Sequence, residues 1–113
     1  MRYQKVLPIS RQKAQTAFLS GIPTKICDAL VRVTYHDSDW RWIQEQCLIY
    51  AQHQDATVRA LAATCLGHLA RIHKHLDLDK VMPRLKVLSR DRQTAGQARD
   101  ALDDIDIFLK MKK

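Results

Sequence analysis

The side chains that could do chemistry in this 113-residue sequence are five histidines, three cysteines and a run of carboxylates. His73 and His75 are two residues apart, so on a helix they point in opposed directions and cannot chelate one metal. His68 and His73, five apart, share no face either. There is no His-Glu-x-x-His. Cys27, Cys47 and Cys65 are too widely separated for a zinc or redox pattern. Cys47 and Cys65 fall on apolar stripes with nothing nearby in sequence to depress their pKa, which reads as buried structural thiol. His36, Asp37 and Asp39 offer a weak cation loop, set against a polar turn in which Ser38 caps the next helix. Asp100, Asp103, Asp104 and Asp106 crowd one segment, yet Arg99–Asp103 and Asp106–Lys110 are spaced four apart. That is the spacing of a solvated, ion-paired helical face. Three scattered glycines build no phosphate loop. No catalytic, cofactor-binding or metal-ligating residue is assigned, and the chain is read as a non-enzyme with no cofactor and no small-molecule substrate.

The elements that position these groups come from a repeat. The stripe Ile22, Ile26, Ala29, Leu30 and Val33 returns 36 residues later as Val58, Ala62, Cys65, Leu66 and Leu69. It returns again as Thr94, Ala98, Ala101, Leu102 and Ile105. Fourteen of these fifteen positions are apolar, with steps of four, three, one and three that keep each set on one helical stripe. Thr94, the exception, stands where a helix cap would serve. Each such helix follows another: Ser10 to Leu19, stopped by Gly21; Asp39 to His53, capped by Ser38; and Leu78 to Ser89, begun by Asp77. The second helices are Ala56 to about His75, capped by Asp55, and Thr94 to about Leu109. Sparse Gly and Pro and low aromatic content exclude a turn-rich sandwich or barrel. The expected fold is all-α: one domain over residues 1–113, an α-solenoid of about three antiparallel helix pairs, with repeats near 3–36, 38–75 and 77–110.

Asp55-Ala-Thr-Val58-Arg59-Ala-Leu-Ala62-Ala-Thr-Cys65-Leu66-Gly67 resembles the inter-helix turn and second helix of a HEAT repeat. Val81-Met82-Pro83-Arg-Leu85-Lys-Val-Leu88-Ser-Arg-Asp91 is similar to that family's first helix, with its internal proline and following Asp. The third repeat has Thr94-Ala95 in place of Val-Arg, and the first has Ile22-Pro23, with Leu19 in the Asp position. The family's Asp–Arg ladder is therefore expected only at Asp55 and Arg59. The chain also resembles short bacterial HEAT-like immunity proteins, which implies a cytoplasmic antitoxin that neutralises a contact-delivered toxin by occluding it.

In stacked arrays the second helices line a shared binding surface. Positions opposite the buried stripe are Thr24, Asp28, Val31 and Tyr35, then Ala60, Thr64, Gly67 and Arg71, then Gly96, Asp100, Asp103 and Ile107. From these, Asp28, Tyr35, Thr64, Gly67, Arg71, Asp100, Asp103 and Ile107 are taken as the partner contacts. Gly67 admits a second explanation, tight packing against an adjoining element. The face is acidic in a chain of net charge +7, whereas Lys80/Arg84 and Lys86/Arg90 form basic rows on the outer layer. An acidic trough suits a basic, nuclease-type toxin domain. The alternatives are a nucleic-acid-binding helical repeat, for which Trp40 and Trp42 beside Asp39 are the one arrangement worth naming, and an accessory scaffold subunit. No run is long enough to span a membrane, and unpaired cysteines fit a reduced, cytoplasmic setting.

Overall fold

The computed structural model describes residues 5–109. The basic end at Lys110, Lys112 and Lys113, the Asp106–Lys110 spacing and the outermost limits of the first and third repeats lie outside the described residues. Six helices follow one another: α1 (Arg11–Leu19), α2 (Pro23–His36), α3 (Trp40–Tyr50), α4 (Ala56–Ile72), α5 (Leu78–Ser89) and α6 (Ala95–Phe108). There is no strand among the described residues.

Local chemistry sets the helix ends. Ser10 Oγ accepts from the Lys13 amide at 3.1 Å to start α1, and Gly21, at φ +70°, turns the chain after it. Pro23 opens α2, where a missing N–H is harmless. Asp55 starts α4 by accepting from the amides of Thr57 (2.8 Å) and Val58 (3.3 Å). Two expected caps differ. Asp39 rather than Ser38 caps α3, because Asp37 Oδ1 takes the Asp39 amide at 2.8 Å and closes the turn one residue later. Asp39 Oδ1 then accepts from Trp42 N at 3.2 Å. Thr94 occupies the cap position of α6, but its buried hydroxyl donates to the Leu88 carbonyl at 2.7 Å and ties α6 to the end of α5. α3 ends three residues before His53. α4 ends at Ile72, short of His75, with Lys74 in the left-handed region at φ 61°.

The helices pair as α1/α2, α3/α4 and α5/α6, and the second helices α2, α4 and α6 lie side by side as a continuous layer. The molecule is an α-solenoid of three helix pairs. Of the fifteen positions in the 36-residue pattern, thirteen are buried. Ile22 is not: it sits before the first turn of α2 in extended conformation, 43% exposed. Leu102, on the last helix of the stack, is half-buried. The most extensive contact joins α4 to α6, where Gly67 faces Ala101. The ladder also runs further than expected. Arg59 Nη1 donates to the carbonyls of His53 and Gln54, both at 2.9 Å, and Nη2 reaches Asp91 Oδ2 at 3.5 Å, the residue 36 beyond Asp55. Cys47 and Cys65 are buried free thiols. Among the described residues no helix is long and apolar enough to cross a membrane, and no three His, Cys, Asp or Glu side chains are placed to hold a metal ion.

Candidate partner-binding face

The outward edges of α2, α4 and α6 form one open face, and its groups meet around a histidine. α4 is flanked by α2 on one side and α6 on the other, so between its first turn and its last residue only a narrow arc stays accessible: Leu61, Thr64, His68 and Arg71, all half-buried. Their spacing of three, four and three is that of one helical edge. From α2 the Tyr35 ring meets the His68 ring edge-on, centroids 5.3 Å apart. Arg71 Nη2 donates to His68 Nδ1 at 2.8 Å. A guanidinium is always a donor, so Nδ1 is the acceptor and the ring proton sits on Nε2. Burial first, and the Arg71 charge second, push the His68 pKa below its ordinary 6.5, with Asp104 of α6 opposing them. The ring is therefore neutral at pH 7. Asp104 acts on the ring through its charge and forms no hydrogen bond to it.

The expected contact residues separate into those the face gathers and those it does not. Tyr35, Thr64 and Arg71 lie on it, half-buried. Asp100, Asp103 and Ile107 project from α6, Ile107 being 53% exposed. The Arg99–Asp103 ion pair expected from spacing does not form. Asp100, Asp103 and Asp104 have no ion pair or hydrogen bond among the described residues. Asp28 is exposed but already paired with Arg32 at 3.1 Å. Arg32 in turn donates to the carbonyls of Leu7 (3.0 Å) and Pro8 (2.8 Å), which lays the 5–9 segment along this part of α2. Gly67 is not on the face. It is buried against Ala101, because α6 closes on α4 at that point, and Ala60 is buried as well. The packing explanation of Gly67 holds.

Sequence reasoning missed His68 and Asp104. Both stand one residue beyond positions singled out, and the signal was the Leu61, Thr64, His68, Arg71 spacing. The remaining candidates are occupied. Asp37 and Asp39 receive the Arg11 guanidinium at 3.2 and 3.5 Å, so the 36–39 loop is a paired polar turn. Trp42 lies under Arg11 at 4.1 Å, toward the first pair. Trp40 stacks on His75, centroids 5.3 Å apart, on the side of the third. His73 turns the other way, its Nε2 at 3.0 Å from the Thr34 carbonyl. On the outer layer Lys80 and Arg84 edge hollows between α3 and α5, the larger about 550 Å³ and floored by Trp40, Leu48 and Leu76.

A solenoid of three helix pairs with a polar cluster on its shared face belongs to the class of helical-repeat proteins. No family model matches the chain, and no curated protein matches it. Among solved structures it is similar to a chain of a CDI complex from Cupriavidus taiwanensis LMG 19424, with 37% identity, a TM-score of 0.84, and 96% of this chain and 97% of that one covered. At that identity over nearly the whole of both, this protein belongs to the family of that chain.

Proposed function

We propose that the protein is the immunity component of a contact-dependent inhibition system, a non-enzymatic module that binds a cognate toxin domain and occludes it. The observation that carries this reading is the end-to-end similarity to a chain of a CDI complex. The open face supports it, since it presents Tyr35, Arg71 and Ile107 among carboxylates that have no ion pair among the described residues. Tyrosine and arginine are favoured anchors of protein interfaces, and three unpaired aspartates suit a basic, nuclease-type toxin. The working surface is thus Tyr35, Thr64, His68, Arg71, Asp100, Asp103, Asp104 and Ile107. Asp28 is peripheral to it, and the chain would act in the cytoplasm of the cell it protects.

The test is co-expression with the toxin domain encoded at the same locus. Growth should be restored by the wild-type chain, and the purified pair should co-elute. Asp100→Lys with Asp103→Lys should weaken binding by at least tenfold. Unchanged affinity would remove α6 from the contact. Failure of the wild-type chain to protect or bind would remove the function.

A further inference from the structure

We propose that His68 is a positioning residue: it fixes Arg71 as a preformed anchor for a carboxylate of the protein partner. The inference rests on the immunity reading and names the chemistry by which that site selects its partner.

Arg71 is half-buried, and among the described residues its one hydrogen bond goes to a neutral acceptor, His68 Nδ1. Among the described residues no carboxylate lies within ion-pair distance of it, and Asp104, near enough to act on the same histidine, has no cation within that distance either. On a surface that satisfied itself these two charges would meet. Here Arg71 is bonded to His68 instead, and the two charges stay apart. The imidazole is itself confined, with the Tyr35 ring edge-on at 5.3 Å. Arg71 has therefore lost side-chain freedom before any partner arrives, which removes part of the ordering cost of binding. Four of its five N–H donors remain, in the planar fork that suits a carboxylate bidentately. A phosphate offers similar geometry, but Asp100, Asp103 and Asp104 on the adjoining helix repel a polyanion. A protein surface carrying one carboxylate among basic groups satisfies both signs.

The experiment measures affinity for the inactivated toxin domain of the same locus by calorimetry. His68→Phe keeps a ring against Tyr35 and loses the acceptor, whereas His68→Asn returns an acceptor near the place of Nδ1. Arg71→Gln and His68→Phe should each lose about tenfold in affinity, and His68→Asn should stay within about threefold of wild type. Acidification from pH 7.5 to 5.5 should weaken wild-type binding, since a protonated Nδ1 cannot accept from Arg71. The groups facing the ring are Tyr35 from α2, Arg71 from α4 and Asp104 from α6. His68→Asn keeps all three, so its smaller acid loss isolates the imidazole. In the free wild-type chain, ring-nitrogen NMR should report the Nε2–H tautomer. An Nδ1–H tautomer overturns the inference even if the variants misfold. Wild-type binding matched by His68→Phe overturns the inference alone, whereas no binding by the wild type overturns the immunity reading with it.

Discussion

One substitution made at two glycines should move stability in opposite directions. A Cβ built on Gly67 would sit 2.9 Å from Asp104 Oδ2, 3.0 Å from Ala101 Cα and 3.2 Å from Ala101 Cβ. The carboxylate swings aside at little cost. The Ala101 backbone moves only if α6 moves, and overpacking of that kind costs about 1–3 kcal/mol. Against it stands a helix-propensity gain of about 1 kcal/mol for replacing glycine by alanine in a helix interior. The net for Gly67→Ala is a loss of about 1 kcal/mol, or roughly 4 °C in melting temperature for a chain of this size. Gly96, in the first turn of α6, has nothing within 4 Å of its added Cβ. Gly96→Ala should stabilise by about 0.5 kcal/mol. Urea unfolding followed by far-ultraviolet circular dichroism measures both, as midpoints at unchanged slope. If Gly67→Ala is as stable as wild type or more so, the close approach of α4 and α6 is wrong. If it also loses affinity for the toxin domain, Gly67 returns to the contact surface.

Arg59→Ala removes donors from the His53 and Gln54 carbonyls and should cost about 2–3 kcal/mol, while Asp91→Asn, at the longer and more exposed end of the ladder, should cost under about 1; equal losses in chemical denaturation would refute the assignment. In native protein a thiol reagent should titrate half-buried Cys27 first, with Cys47 and Cys65 reacting only as the chain opens, and three equally fast thiols would contradict the core described. The hydrogen bond to Cys65, then burial, holds the Cys47 thiol well above its ordinary 9.0. An acid whose folded pKa is raised contributes stability that is complete below the unfolded value and declines as pH rises beyond it. Melting temperature should therefore fall above pH 9, and by less in Cys47→Ala. His68 has the reverse sign: its lowered pKa contributes stability present above about 6.5 and lost on acidification, so wild type should lose more than His68→Phe between pH 7.5 and 5.

The fold was legible because the 36-residue offset repeats what the core requires. Ile26, Val33, Cys65, Leu69, Ala98 and Ile105 are buried as that pattern demands. What escaped was decided by groups far apart in sequence or by one turn's geometry. Asp37 bonding the Asp39 amide moved a cap by one residue, and the Leu88 carbonyl drew the Thr94 hydroxyl inward. The face was half legible. An arc drawn opposite a single buried stripe suits α2 and α6, each with one neighbour in the layer of second helices. It fails for α4, which has two, and that is why Gly67 and Ala60 turned inward and His68 outward. His68 was weighed only as a metal ligand, although its place between Thr64 and Arg71 was visible.

The charge arrangement argues the rest. At three places the surface pairs its own charges: Arg11 with Asp37 and Asp39, Arg32 with Asp28, and Arg59 with Asp91. On the shared face Arg71 is bonded to a neutral ring, and Asp100, Asp103 and Asp104 of α6 have no ion pair among the described residues. Exposed Asp100 and Asp103 lose little by remaining in water, and the half-buried Arg71 guanidinium is held by His68 rather than by a carboxylate. On the proposed immunity reading, that separation leaves charges of both signs available to the toxin domain.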